Sequence, residues 1–505
     1  MDRKKNVKKG LVSGVINNLL TLILPFVSRT IIIYYLGSAY LGLSGVFGSI
    51  INILNMSELG FGSALSFVLY KPIAENDEEK VCAILAFAKK CFRAIGLVVL
   101  AIGAMVVPFL HKVVNSDIPS DINIYILYSI FLLNSVVSYF LFSYKRLLFS
   151  AAQRYDLETT IASIVLILQY IAQIVILVLM KDYYLYIGMT VVASILSNIL
   201  CEVVTRKYFP KYVCRGRLPK SDYSKIIKIV KGVFATKIGA TINLSIDNVV
   251  ISALFGLILL GKYSNYYYII LIFISLFAVV HNSLRPTLGN CIITDTKSQM
   301  YEKLETISFV YTWGASIISV GFLCLAQDFI YIWAGEDFLL PFSYVIVLFA
   351  LFFLGRMFCV PTLFVEAAGL WYESKYINLI TAGLNVLLSL VLAHNVGVVG
   401  VPIASVIVTL LANLGYLHTL FSLYFENVNS KLYIISLLKT MLLQLITAAI
   451  VYLACFRIVV DSIFSFVLKG FVVVSLSVAC FFIFSIIDRK RFQKSWPFVR
   501  SLFKI

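Results

Sequence analysis

Apolar stretches of about 20 to 29 residues recur along the chain, separated by short clusters of turn-forming and charged residues. Fourteen such stretches predict fourteen helices, over 11–36, 40–68, 83–110, 122–145, 158–180, 184–205, 229–256, 262–285, 304–327, 339–365, 375–395, 398–424, 433–457 and 463–487. The segment YKPIAENDEEK closes the second and YFPKYVCRGRLPKSDYSK the sixth. The longest polar connection is about twenty residues, too short to hide a separate soluble domain. The opening MDRKKNVKKG followed by an apolar run imitates a secretory signal. However, that run is too long, contains Arg29 and lacks a small-x-small cleavage site, so it reads as a first span.

Composition agrees with this pattern. The 505 residues are 61% hydrophobic and 13% charged, whereas soluble domains run near 45–50% and 25%. An all-α polytopic membrane protein follows. Lys+Arg 42 against Asp+Glu 25 would suggest nucleic acid in a soluble chain. Here the basic residues cluster on alternate connections: 34 fall on one face, five on the other, and Arg29, Lys237 and Arg356 within spans. Basic loops mark the cytoplasmic side, which places both termini there, makes the span number even and gives nucleic acid no part. The nine cysteines are scattered, mostly in apolar runs, with no CxxC pair and no Cys/His cluster, so neither metal nor cofactor is expected.

A weak internal repeat divides the chain. A shift of 218 places Gly14-Val15 on Gly232-Val233 and Arg29 on Asp247. A shift of 219 places Gly37 on Gly256 and Leu41-Gly42 on Leu260-Gly261. Two pseudo-symmetric six-helix lobes result, over 1–215 and 216–428, with helices 13 and 14 and a basic tail over 429–505 as an appendage. A cavity between the lobes is expected.

Ionisable groups inside spans are costly in hydrocarbon and usually face a bundle interior or wet cavity. Arg29 and Asp247, at matching repeat positions, either line that cavity or pin the halves together. Glu58, in NMSELGFGSAL, is either a protonation site or a helix tie. Lys237 lies inside the seventh helix, and Arg285 with His281 closes the eighth. Arg356, read as mid-helix in LFFLGRMFCVPTLF, is the strongest candidate for an anion contact. Gln169 and Gln173, one turn apart, line the cavity or bridge helices. Glu366 joins Glu58 and Asp247 as a possible proton or sodium site. Catalytic signatures are missing: the chain has no Walker motif, no HExxH and no G-x-S-x-G, and its outer loops are short, which argues against an enzyme.

The stretch RTIIIYYLGSAYLGLSGVFGSIINILNMSELGFGSALSFVLYKPIAENDEEK (29–80) resembles the N-terminal pattern of bacterial polysaccharide-repeat flippases, of the multidrug/oligosaccharidyl-lipid/polysaccharide exporter superfamily. DNVVISALFGLILLGKYSNYYYI (247–269) resembles the same family's seventh and eighth helices, with weaker echoes in EAAGL (366–370) and GVVGVP (397–402). The resemblance implies alternating access in the bacterial cytoplasmic membrane. It implies an undecaprenyl-diphosphate-linked oligosaccharide as cargo, for capsule, O-antigen or a related polymer, with a polysaccharide polymerase as a possible partner. The family's cationic cavity residues map onto Arg29 and Arg356, and less closely onto Lys237 and Arg285; Asp247 departs from a purely cationic lining. A peptidoglycan-precursor flippase, a drug/cation antiporter and a membrane polymerase or acyltransferase are the alternatives.

Overall fold

The computed structural model describes residues 3–55, 61–114, 116–152, 154–218, 220–370, 373–426, 428–487 and 492–493. Among them the regular structure is entirely helical. Twelve helices are long and apolar enough to cross a membrane, or thirteen if one bent pair counts as a single span. Of the second predicted helix, 40–68, the described residues fall in α2 (Ser38–Leu54) and α3 (Phe61–Glu75), and residues 56–60 lie outside the description.

The chain forms two compact units, residues 1–261 and 262–505. The first holds α1 (Arg3–Tyr35), α2, α3, α4 (Glu78–Val106), α5 (Leu110–Val113), α6 (Ile124–Phe140), α7 (Arg146–Ala151), α8 (Tyr155–Leu179), α9 (Tyr183–Tyr208), α10 (Lys220–Phe255) and the start of α11 (Leu257–Thr294). Here α1 lies along α8, α8 along α9, and α10 along α2. The second unit holds the rest of α11, then α12 (Lys297–Ala334), α13 (Phe342–Met357), α14 (Val360–Ala367), α15 (Lys375–Val396), α16 (Gly400–Leu423), α17 (Ser430–Cys455) and α18 (Ile463–Ile487). Its apolar core runs through Leu304, Tyr311, Phe353, Leu363, Leu420 and Tyr433, drawn from five helices. Large apolar side chains such as Phe464, Phe471 and Leu453 are more than two-thirds exposed, a surface suited to hydrocarbon rather than water.

The helix order repeats. Helices starting at Arg3, Ser38, Glu78, Ile124, Tyr155 and Tyr183 are followed in the same order by helices starting at Lys220, Leu257, Lys297, Phe342, Lys375 and Gly400. The two glycines paired in the sequence, Gly37 and Gly256, both take left-handed backbone (φ 97 and 89), a conformation that costs glycine little. The paired Leu-Gly dipeptides do equivalent work. A Cβ on Gly42 would strike the Leu257 carbonyl, and a Cβ on Gly261 would strike the Ser38 carbonyl. The contact is thus reciprocal: residue 42 meets 257 as residue 261 meets 38.

Candidate functional site

Polar groups buried within the helices gather in three places, two in the first unit and one in the second. The first is the seam of α1, α8 and α9. Arg29 lies there within electrostatic reach of Tyr183 and Tyr186. The preceding Ser28 pairs its hydroxyl with that of Tyr186 at 2.9 Å. Gln173, 2% exposed, donates from Nε2 to the Tyr186 carbonyl at 2.9 Å, and Gln169 Nε2 donates to Gln173 Oε1 at 3.4 Å. Arg29, Gln169 and Gln173 are thereby brought to one seam, where Gln173 ties α8 to α9 and Gln169 bonds within α8. Asp247 is buried on α10, where the adjoining Asn248 donates from Nδ2 to Ser49 of α2 at 2.9 Å. Lys237 is on α10 with its side chain outside the described residues, and Glu58 lies outside them altogether.

The second is a polar cavity of about 660 Å3 between α3, α4, α6, α7 and α8. It owes its floor to a break in α6. A continuous helix would send the Phe142 N–H to the Ser138 carbonyl. Instead, Phe142 N–H donates to Asn198 Oδ1 on α9 at 3.3 Å, and the Ser143 hydroxyl takes over the Ser138 carbonyl at 2.7 Å. Asn198 Nδ2 in turn donates to the Ser138 hydroxyl at 3.1 Å and the Ser194 carbonyl at 2.8 Å. A side chain has entered the hydrogen-bond ladder, and the helix turns by 53°. Asn55 Oδ1 ties the opposite wall, accepting from Ser135 at 2.5 Å and Tyr139 at 3.2 Å. Arg146 Nη2 donates to Ser197 at 2.9 Å, and Glu158 lies in electrostatic contact with Arg146. Next to the cavity, Lys145 forms an ion pair with Glu202, which also accepts from Arg206 at 2.6 Å. Lys145 reads in the sequence as a loop cation but is 9% exposed.

The third place is in the second unit. Glu366, at the end of α14, accepts from Arg285 Nη1 at 3.2 Å and lies 3.2 Å from His281 Nε2, both on α11. His281 also interacts with Cys359, and electrostatic contacts link Tyr311 to Cys359 and Arg356. Arg285, Arg356 and Glu366, found separately in the sequence, therefore belong to one network. Arg356 occupies the last turn of α13, which ends at Met357, and sits near the middle of the span 342–367 that α13 and α14 make together. Its Nε and the Tyr311 hydroxyl are buried without a hydrogen-bond partner among the described residues. Glu366 is committed to two neighbours, Arg285 and His281. No cluster of three or more His, Cys, Asp or Glu side chains suited to a metal occurs among the described residues.

Arg146, Glu158 and Asn198 were not anticipated. Arg146 stands in the basic cluster YKR and looks like a loop cation, while Asn198 is a lone amide in an apolar helix. A buried amide in a long apolar run is a signal, but its partner 56 residues away cannot be read from it.

Comparison with known proteins converges on one architecture. Residues 7–291 match the family model described as polysaccharide biosynthesis protein. No curated protein sequence matches the chain. The fold is similar to that of a lipid II flippase, MurJ, in an inward closed conformation, with TM-score 0.67 and 16% identity over 94% of this chain and 98% of that one. It is also similar to an inward-facing multidrug resistance transporter of the MATE family and MOP superfamily, with TM-score 0.63 and 13% identity over 84% of this chain and 96% of that one. A Vibrio cholerae MATE transporter gives TM-score 0.55 at 13% identity, covering 84% of this chain and 98% of the other.

Proposed function

Because the chain belongs to the polysaccharide biosynthesis protein family, a multi-pass membrane family with the transporter fold described above, we propose that it is a flippase for lipid-linked oligosaccharides. The cargo would be an undecaprenyl-diphosphate-linked repeat unit for capsule, O-antigen or a related polymer, moved from the inner to the outer leaflet of the bacterial cytoplasmic membrane. The family match carries this reading. Transfer of a hydrated, charged head group through hydrocarbon is prohibitive, and a wet passage with fixed guanidinium groups replaces lost hydration with charge-assisted contacts. The lipid chain stays in the bilayer meanwhile.

In this reading Arg29 and Arg356 contact the diphosphate, with Lys237 and Arg285 assisting, and Gln169 and Gln173 add hydrogen bonds. The unpartnered Arg356 Nε supports its share of the role. Glu58, Asp247 and Glu366 are the carboxylates through which a proton or sodium ion would drive the cycle. A polysaccharide polymerase is the expected downstream partner.

Depleting the protein and assaying lipid-linked repeat units on each leaflet tests the function. Inner-leaflet accumulation with loss of surface polymer is expected; unchanged polymer with no accumulation overturns it. The same assay on lipid II decides a second reading, a peptidoglycan-precursor flippase, which the similarity to a lipid II flippase favours. Arg356→Ala and Arg29→Ala should abolish transport at normal abundance, with Lys rescuing only in part because the bidentate fork is lost.

A further inference from the structure

We propose that the polar cavity of the first unit holds a sugar portion of the cargo, apart from the arginines assigned to the diphosphate. This rests on the flippase reading and names what that reading leaves open, where the glycan itself is recognised.

The lining is unusual for a chain that is 61% hydrophobic. It is dominated by hydroxyl and amide side chains, Ser66, Ser138 and Asn55 among them, with the rings of Tyr139 and Phe92. Hydroxyls both donate and accept, as sugar hydroxyls do, and aromatic faces suit the C–H surface of a pyranose. Among the described lining residues only Arg146 and Glu158 bear formal charges, and these are opposite. That neutrality disfavours the alternatives. A diphosphate would meet no net positive charge, an acyl chain would strand polar groups in hydrocarbon, and a metal ion would find one carboxylate where several are needed. A volume of about 660 Å3 falls in the small-molecule range of about 300–1,000 Å3. The shape is also pre-set. Asn198 fixes the broken end of α6 and Asn55 fixes Ser135 and Tyr139, so binding would order few groups.

The test uses the full chain in lipid nanodiscs and free sugars carrying neither lipid nor diphosphate: a hexose, an N-acetylhexosamine and a hexuronate. Saturation-transfer NMR should detect at least one class. Ser66→Trp, which fills the cavity from α3, should weaken its apparent affinity by about tenfold or more, while Asp295→Asn, at the connection between α11 and α12, leaves it unchanged. If the tryptophan variant does not fold, the cavity can be plugged after folding. Ser66→Cys, with the partly exposed Cys91, Cys214 and Cys291 replaced by Ser, is blocked with a bulky methanethiosulfonate and released with reductant. Binding that vanishes and returns supports the site. No sugar signal, or one that survives the plug, overturns it. The leaflet assay reads the flippase function separately. Transport without sugar binding would sink only this proposal, and pluggable sugar binding without lipid-linked accumulation would sink only the flippase reading.

Discussion

In the first unit α6 gives way to α7 through five residues, LFSYK, that include neither proline nor glycine. In the second, α13 gives way to α14 over Phe358 and Cys359, just before Pro361. The two breaks occupy equivalent places in the repeated helix order, yet they arise by opposite means. Asn198 makes the first by taking the Phe142 N–H from its helical partner, and the Ser138 carbonyl so released accepts from the Ser143 hydroxyl. Proline makes the second, because its ring would clash with the Met357 carbonyl and it has no N–H to offer. Among the described residues no side chain from another helix takes a backbone group there: the Cys359 N–H and thiol both turn to the Arg356 carbonyl, and Phe353, Met357, Phe358 and Val360 close over the joint as apolar core. The amide-made break opens onto a polar cavity, whereas the proline-made one is backed by packed apolar side chains with the Glu366 network alongside.

The largest effect that would break this comparison is expected from Asn198→Leu. It strands the Phe142 N–H in a site where residue 198 is fully buried, at a cost of about 3 kcal/mol. The melting temperature of the purified protein should fall, and sugar binding should be lost. An unchanged melting temperature would mean the break does not depend on the amide. Next comes Glu366→Gln, which leaves His281 and Arg285 facing a neutral amide beside the second break. With Arg285 partly exposed, a loss of about 1–2 kcal/mol is expected, together with impaired transport. Full transport with this variant would remove Glu366 from the coupling candidates.

Pro361→Ala sharpens the contrast with a smaller change. It supplies an N–H and removes the clash, so α13 should lengthen and amide exchange slow over 358–361, with stability shifting by no more than about 1 kcal/mol. The smallest effect is at the connection between α11 and α12. There Lys303, 2.5 Å from Asp295 Oδ2, and the Thr294 hydroxyl hold the Asp295 carboxyl below the usual carboxylate range. The unfolded chain therefore takes up that proton first as pH falls. The pair's contribution is present above the ordinary value of about 4 and is lost below it as Asp295 protonates. Asp295→Asn should lower the melting temperature slightly above pH 4 and leave it unchanged once the carboxyl would be protonated, so its decline below pH 4 is slightly flatter.

Much of the architecture was legible because the membrane makes it so. The described residues of the predicted apolar runs are overwhelmingly helical, since hydrocarbon leaves the backbone few other ways to satisfy itself. The family was legible in 29–80 and 247–269, both inside the matched region. What eluded the sequence was pairing across distance. Nothing in SYFLFSYKR announces a bend, because its cause is an asparagine on another helix. Lys145 and Arg146 look alike in that string, yet one is sealed in an ion pair with Glu202 and the other borders a cavity. Pro361, by contrast, was in plain view, and reading it as a stop would have moved Arg356 from mid-helix to the helix end.

The reciprocal approach of Gly42 to Leu257 and Gly261 to Ser38 bears on ancestry. In a twofold pair of identical half-length chains, each such contact is a copy of the other, so a single glycine codon would have built both at once. In the single chain these are separate positions, and a methyl group at either one meets a main-chain carbonyl. Two codons now keep what one could have specified.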